Sequence, residues 1–158
     1  MTSVKDIATR NAITTSPDMP LLKAANILVK HNFHGLPVVD KDNVVVGIFT
    51  EYDLISVMGE EGSAIHLPTL QTLLQNLHIF GKDKSEFQKE IDAISRVTVG
   101  DVMNKEPLTL NENATFDEII KAFREHHRVN PIPVIDSQKK LVGVVSRFDV
   151  VKLFDLLK

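Results

Sequence analysis

The feature that most constrains the fold of this chain is a long internal repeat. Residues 35–53 recur, with the same order of residue types, at residues 131–149. The copies match at a spacing of 96 residues through Pro37 with Pro133, Gly47 with Gly143, and Asp53 with Asp149. Upstream the spacing is 95 residues, which pairs Val4 with Val99 and Thr14 with Thr109. One residue is therefore inserted near Asn130, and the repeat predicts one supersecondary unit built twice.

Each copy carries the same secondary-structure signals. A helical stripe precedes each hairpin and consists of Leu21, Ala24, Ala25 and Leu28 in one copy and of Phe116, Ile119, Ile120 and Phe123 in the other. Runs rich in β-branched residues then predict two hairpins, at residues 36–39 with 44–49 and at residues 132–135 with 141–145. A second helix is predicted after each hairpin, and its core stripe in the second copy is Val150, Leu153, Phe154 and Leu157. Each copy is therefore expected to form a strand, a helix, two strands and a helix.

One copy, at about 55 residues, holds little hydrophobic core by itself. We therefore expect an α+β fold in which two βαββα repeats, residues 1–58 and 98–158, pack sheet against sheet as a pseudo-twofold pair. Residues 59–97 belong to neither copy. They predict an inserted helical hairpin with two apolar stripes, Leu70, Leu73, Leu74 and Leu77 in the first helix and Phe87, Ile91 and Ile94 in the second.

Composition and charge argue against several classes of function. The net charge is -3 and no run of five basic residues occurs, so a nucleic-acid-binding surface is not expected. The chain has no cysteine, which excludes disulfides, thiolate metal sites and cysteine nucleophiles. No apolar run approaches the ~20 residues that a membrane span needs, and the first ten residues lack the apolar core of a signal peptide. We therefore expect a cytoplasmic protein with no membrane partner.

The repeated motif resembles the cystathionine-β-synthase (CBS) domain, which occurs in tandem pairs. The resemblance rests on a threonine in the first strand, on the hairpin sequences Gly-Leu-Pro-Val-Val-Asp and Pro-Ile-Pro-Val-Ile-Asp, and on a Gly-x-x-Thr/Ser-x-x-Asp turn in both copies. It leaves only residues 59–97 outside. It implies a disc with two clefts, each able to hold AMP, ADP or ATP. It further implies a homodimer that senses the nucleotide and passes that state to a regulated partner.

The resemblance also implies which residues bind the nucleotide. Aspartates would hold the ribose hydroxyls, and side-chain hydroxyls would meet ribose, phosphate or adenine, the residues being Asp53, Asp149, Thr50, Ser146, Thr14 and Thr109. Main-chain groups before each Pro-Val pair would meet the adenine edge, from His34, Gly35, Leu36 and Pro37 and from Asn130, Pro131, Ile132 and Pro133. The chemistry fits these roles, because one carboxylate accepts hydrogen bonds from two vicinal hydroxyls.

Charged residues near the motif depart from the family pattern. Members often carry arginine directly before the motif aspartate, where this chain has Tyr52 and Phe148. One position earlier it has Glu51 and Arg147. Arg147, together with Arg128, would favour a phosphate at the second motif, whereas Glu51 would oppose one at the first. We therefore predict tighter phosphate binding at the second motif.

Two alternatives to nucleotide sensing stay open. Ser/Thr-x-x-Asp is also a helix-capping signature, so the motif residues would fit equally a ligand-free homodimerisation scaffold. A metal-dependent hydrolase would need the histidines at the end of each first helix, which are His31, His34, His126 and His127. The chain has no HExxH motif, P-loop, nucleophile elbow or dinucleotide glycine cluster. We therefore expect no catalysis, no metal and no obligatory cofactor.

Overall fold

A computed structural model describes residues 2–56 and 95–157 of the chain. The first repeat contains α1 (Val4–Ile7), β1 (Thr9–Arg10), α2 (Leu21–His31), β2 (Gly35–Val39), β3 (Val45–Thr50) and α3 (Glu51–Ser56). The second contains α4 (Val99–Val102), β4 (Leu110–Asn111), α5 (Phe116–Glu125), β5 (Ile132–Ile135), β6 (Leu141–Val145) and α6 (Arg147–Lys152), followed by a 3-10 helix (Leu153–Leu157). The predicted α+β class and the order of the long helix, hairpin and second helix are confirmed in both repeats.

The hairpins of the two repeats have the same register. β2 pairs antiparallel with β3, so that Pro37 lies opposite Ile48, and β5 pairs antiparallel with β6, so that Pro133 lies opposite Val144. Both hairpins shift register near the end of their first strand. β4 adds to β5 in parallel, and in the first repeat a single parallel bridge between Thr15 and Val38 takes the equivalent place.

The hairpin turns meet across the pseudo-twofold axis. The amide of Val45 donates to the main-chain oxygen of Lys139 at 3.0 Å, and the amide of Leu141 donates to that of Asn43 at the same distance. These are the same positions of the repeat, so each bond is the symmetry mate of the other. The predicted pseudo-twofold arrangement is therefore present in the backbone.

The sequence did not predict that the repeats exchange their N-terminal segments. β1 pairs with β6 of the other repeat, with Arg10 opposite Gly143. In the other direction, Asn104 of the second repeat pairs with Ile48 in β3 of the first. The amide of Asn104 donates to the main-chain oxygen of Ile48 at 2.9 Å, and the amide of Ile48 donates to that of Asn104 at 3.0 Å. A Cβ at Gly143 would lie 2.6 Å from the main-chain oxygen of Thr9, and one at Gly47 would lie 2.8 Å from that of Asn104. Glycine is therefore needed where each segment crosses.

The exchange also mixes the two hydrophobic cores. Val4 is fully buried among residues of the second repeat, and Val99 is fully buried among residues of the first. The predicted stripe of α2 is confirmed at Leu21, Ala24 and Leu28. In α5 the predicted Ile119 and Phe123 are buried, whereas Phe116 and Ile120 are half-buried and the unpredicted Ala122 is buried instead. Each core therefore contains a helix contributed by the other repeat, and the exchange links the repeats through buried apolar surface.

One predicted core stripe is wrong towards its end, although its first residue, Val150, packs against the core of the second repeat. The stripe Val150, Leu153, Phe154 and Leu157 was expected to be buried as one helix face. In the structure α6 ends at Lys152, and the tighter 3-10 turn that follows changes the direction of the later side chains. Phe154 is 69% exposed and Leu157 is 79% exposed.

The predicted helical hairpin at residues 59–97 lies almost wholly outside the described residues. Its last residue, Val97, packs against the core of the first repeat, and its main-chain oxygen accepts a 2.9 Å hydrogen bond from the amide of Leu21 at the start of α2. Within the described ranges, no helix is long and apolar enough to cross a membrane.

Candidate functional site

A cleft of about 1170 Å³ lies between the two repeats. Predicted site residues from both copies line it, namely His34, Gly35, Pro37 and Thr50 from the first repeat and Asn130, Pro131, Ser146, Arg147 and Asp149 from the second. Two separate clefts were expected, but both sets of motif residues face this same cavity. The fold thus brings together residues that are about a hundred positions apart in the chain.

Six predicted site residues do not line the cleft. They are Thr14, Leu36, Asp53, Thr109, Ile132 and Pro133. Leu36, Ile132 and Pro133 are buried within the hairpin strands, so only their main-chain groups remain for a ligand. Thr14 and Thr109 are half-buried and lie directly before the residues that pair with the hairpins. Asp53 is half-buried in the first turn of α3, behind the lining residue Thr50.

The motif residues of the first repeat form a helix-capping box. One carboxylate oxygen of Asp53, Oδ2, accepts hydrogen bonds from the amide and the hydroxyl of Thr50, each at 2.8 Å. The hydroxyl of Thr50 in turn accepts from the amide of Asp53 at 3.3 Å. Among the described residues no donor reaches the other oxygen, Oδ1. The capping prediction is confirmed here, and half of the carboxylate stays available for a ligand.

The second repeat contains the same box with one added charge. Oδ2 of Asp149 accepts from the amide and the hydroxyl of Ser146, each at 2.8 Å. Its Oδ1 accepts from the ammonium group of Lys152 at 3.2 Å. The aspartate is 8% exposed, whereas the lysine extends into solvent. A ligand hydroxyl at this carboxylate would therefore share Oδ1 with a lysine or displace it.

Burial changes the pKa of Asp53. Desolvation raises the pKa of Asp53 above its ordinary value, while the hydrogen bonds from Thr50 act in the opposite direction and only partly offset it. The charged form of this carboxylate is therefore costly at this half-buried position. Hydrogen bonds from ligand hydroxyls would stabilise that charged form, because they replace the solvent that burial has removed.

The charged residues one position after the motif hydroxyls make different contacts. Glu51 pairs with His34 at 3.0 Å, and both side chains are more than half exposed. Arg147 lines the cleft, and its Nη2 donates to the main-chain oxygens of His126 at 3.2 Å and of His127. Its guanidinium also lies 5.5 Å from the ring centre of Phe123. Arg147 thus binds carbonyl groups at the C-terminal end of α5, where a cation is electrostatically favoured.

Several lining residues were not predicted from the sequence. Asn11, Ala12 and Ile13 reach the cleft because the segment after β1 crosses to the other repeat. His31, Asn32 and Phe33 come from the end of α2, where Asn32 adopts a left-handed conformation that ends the helix. The asparagine after a helical stripe is a signal for such an end. For residues 11–13 the repeat pattern carries no comparable signal.

The histidines near the cleft do not form a metal site. Within residues 2–56 and 95–157, no three His, Asp or Glu side chains are grouped closely enough to hold an ion. The ring of His31 instead stacks on that of Phe33, with centres 5.1 Å apart. The metal-dependent hydrolase considered above therefore has no ligand set in the described residues.

Two features decide the family: the repeated capping boxes at one cleft, and a match of the CBS domain family model to residues 4–60 and 99–155. The chain belongs to the CBS domain family. This confirms the resemblance that the motifs indicated, and the matched ranges coincide with the two repeats of the structure.

Relatives of this CBS protein include a CBS domain-containing protein and part of an enzyme. The chloroplastic CBS domain-containing protein CBSX1 of Arabidopsis thaliana is 29% identical over 136 residues, which is 86% of this chain and 56% of that protein. The L-aspartate semialdehyde sulfurtransferase of Methanocaldococcus jannaschii is 24% identical over 98% of this chain and 23% of that protein. The chain thus spans less than two thirds of the length of these curated relatives.

Solved structures show the same CBS architecture with ligands. The structure of CBSX2 in complex with AMP is 26% identical, has a TM-score of 0.71, and is matched over 100% of this chain and 99% of that one. The CBS domain pair of protein MJ0100 in complex with 5′-methylthioadenosine and S-adenosyl-L-methionine is 26% identical with a TM-score of 0.68 over the same shares. Both ligand sets contain adenosine.

Proposed function

We propose that this CBS protein is a regulatory module that binds an adenine nucleotide in the cleft between its repeats. The observation that carries the proposal is that the motif residues of both repeats meet at one cavity, with an aspartate carboxylate behind each motif hydroxyl. The similarity to CBS pairs that hold AMP, or 5′-methylthioadenosine and S-adenosylmethionine, supports the ligand class.

The cleft offers a distinct partner to each part of an adenosine ligand. Oδ1 of Asp53 and, after displacement of Lys152, Oδ1 of Asp149 accept hydrogen bonds from ribose hydroxyls. Main-chain groups beside Gly35 and Pro131 meet the adenine edge, and apolar lining such as Ile13 packs on the base. The amides of Thr50 and Ser146 already donate to the aspartates, so cationic side chains must neutralise a phosphate.

The proposed output is a change in the contact between the repeats rather than a reaction. A ligand in the cleft touches both repeats, and the exchanged segments after β1 form part of its wall. Binding therefore favours one relative arrangement of the repeats, which a regulated partner would detect. No obligatory cofactor is part of this proposal, and we place the module in the cytoplasm, where a chain without cysteine needs no disulfide.

The module is further proposed to be a homodimer. Ile55 and Val151 occupy the same position of the repeat, and their side chains are 63% and 54% exposed. An apolar face that repeats across a pseudo-twofold axis suits a second copy of itself, because an isologous contact pairs each patch with its own equivalent. Light scattering should give about twice the mass of 17.7 kDa, and a monomer at micromolar concentration would refute the dimer.

Ligand-induced stabilisation tests the proposed function. AMP, ADP, ATP, NAD and S-adenosylmethionine are each added to the purified chain, and thermal unfolding is measured. A ligand that binds only the folded chain at a hundred times its dissociation constant should stabilise it by about 2.7 kcal/mol. The double variant Asp53→Asn with Asp149→Asn should lose most of this gain while still folding. If no ligand changes the unfolding of the wild-type chain, the dimerisation scaffold is the better account.

A further inference from the structure

A single arginine bridges the two repeats across the mouth of the cleft. Arg128 lies in the turn between α5 and β5 of the second repeat, and Tyr52 lies in the first turn of α3 of the first repeat. Nη1 of the arginine donates a 2.7 Å hydrogen bond to the tyrosine hydroxyl, and the guanidinium carbon lies 5.0 Å from the centre of the tyrosine ring. Both side chains line the cleft and are exposed.

Arg128 differs from the other two lining cations in the groups that it contacts. Arg147 donates to main-chain carbonyl oxygens at the end of α5, and Lys152 pairs with Asp149. Arg128 contacts only a neutral phenol, and no carboxylate of the described residues lies within 4.0 Å of it. Among the described residues nothing accepts from the remaining donors of Arg128, so they can bind an anionic ligand.

The bridge exists on one side of the pseudo-twofold axis only. At the positions equivalent to Arg128 and Tyr52, the chain has Phe33 and Phe148, which have no polar groups in their side chains. Phe33 stacks on His31 instead. The repeat thus supplies ribose-binding aspartates twice but this cross-repeat cation once, so the cleft is electrostatically asymmetric.

We propose that Arg128 makes the cleft selective for adenosine ligands that carry a phosphate over neutral or cationic ones, with Tyr52 as the residue that positions its guanidinium. The inference rests on the proposed adenosine site and names its ligand class. A guanidinium binds phosphate oxygens through two parallel hydrogen bonds as well as by charge. The hydroxyl and ring face of Tyr52 hold it over the cleft, so less side-chain entropy is lost when phosphate binds.

Calorimetry with three ligands tests the selectivity. AMP carries a phosphate, 5′-methylthioadenosine carries none, and S-adenosylmethionine carries a sulfonium cation. Arg128→Gln in the full chain should weaken AMP binding about tenfold, because a partly exposed charge pair is screened but not abolished. Its affinity for 5′-methylthioadenosine should stay within twofold, and S-adenosylmethionine should bind no more weakly than before. The salt dependence of AMP binding should also become shallower.

Matched variants separate a specific loss of AMP affinity from a general loss of binding. Arg124→Gln removes an exposed arginine of α5 that does not line the cleft, and it should leave all three affinities unchanged. Arg128→Lys keeps the charge and should recover part of the AMP affinity. Tyr52→Phe keeps the ring and removes the hydroxyl, so it should lower the ratio of AMP to 5′-methylthioadenosine affinity by about two- to threefold.

The outcomes distinguish the inference from the proposed function. If the wild-type chain binds AMP and 5′-methylthioadenosine equally, or if Arg128→Gln weakens both to the same degree, the adenosine site stands and the role of Arg128 is overturned. If the wild-type chain binds none of the three ligands, the proposed function fails and the inference falls with it. A selective loss of AMP affinity in Arg128→Gln, absent in Arg124→Gln, supports both.

Discussion

In the first repeat, no donor among the described residues reaches Oδ1 of Asp53, whereas in the second repeat Lys152 already binds the same oxygen of Asp149. Both aspartates otherwise accept the same pair of bonds from a motif hydroxyl and its amide. The comparison shows that the capping box belongs to the repeat, while the charge around it belongs to each copy. Duplicated backbone thus provides one geometry and two electrostatic environments.

The charged residues that were expected to make the two motifs differ in phosphate binding have other partners in the structure. Arg147 was expected to favour phosphate there and Glu51 to oppose it at the first motif. In the structure Arg147 is engaged by carbonyl groups of α5, and Glu51 is paired with His34. Tighter phosphate binding at the second motif stays a prediction, and Arg128 does not support it by position, because its guanidinium contacts Tyr52 of the first motif.

Breaking the exchange of segments should have the largest effect. Gly143→Ala places a Cβ against the main-chain oxygen of Thr9, so we expect a loss of about 1–3 kcal/mol in the free energy of unfolding. Gly47→Ala should behave similarly at Asn104, although the nearby side chain of Met103 can move. Urea unfolding measures both, and Ser137→Ala in an exposed turn is the control.

Whether Gly143→Ala lowers or raises the free energy of unfolding tests the pairing of β1 with β6. Without a crossing segment, glycine to alanine at a strand position would stabilise the chain by about 0.4–1 kcal/mol through the unfolded state. A stabilised Gly143→Ala variant would therefore contradict the pairing of β1 with β6.

A substitution in a hairpin turn should have a smaller effect on stability, and it should stabilise the chain. Asn43 and Lys139 occupy the same position of the repeat, and both have positive φ angles, of 63° and 61°. Asparagine tolerates this left-handed conformation better than lysine. Lys139→Asn should therefore stabilise the chain by about 0.5 kcal/mol, measured by urea unfolding. The reverse exchange, Asn43→Lys, should destabilise it; equal stability of all three chains would show that the turns are not strained.

The smallest expected effect is the contribution of Asp53 to the pH dependence of the free energy of unfolding. Burial raises its pKa in the folded chain, so the folded state binds this proton more tightly than the unfolded state. The contribution of Asp53 to stability is complete below its unfolded pKa and is lost as the pH rises through the folded pKa. The free energy of unfolding of the wild type minus that of Asp53→Asn should therefore fall as the pH rises above about 4, the ordinary pKa of an aspartate. A difference that rises over this range would contradict the raised pKa.

Much of the fold could be predicted because it is encoded locally. The stripes of α2 and α5, the β-branched hairpins and the capping spacing each depend on residues within about ten positions of one another. The failure at Phe154 and Leu157 has a physical cause as well. Helical spacing predicts a common face but not whether the helix continues or what covers that face, and here α6 gives way to a 3-10 turn.

The candidate site could be predicted only in part. Thr50, Ser146 and Asp149 line the cleft as expected, because their motif places them at the end of a strand and the start of a helix. Ile13 and Tyr52 were not foreseen as lining residues, since neither belongs to a repeated polar pattern. Their positions depend on which repeat each segment packs against.

The sequence by itself determined that two equivalent units exist, that each contains a helix, a hairpin and a capped second helix, and that they belong to one family. These features follow from periodicity and from hydrogen bonds between residues three apart. Only the tertiary structure decided that Val4 completes the second core, that Val99 completes the first, and that Arg128 meets Tyr52 across the cleft. Those contacts join residues tens of positions apart, and nothing in local propensity selects between an exchanged and an unexchanged pairing, because both bury the same apolar residues.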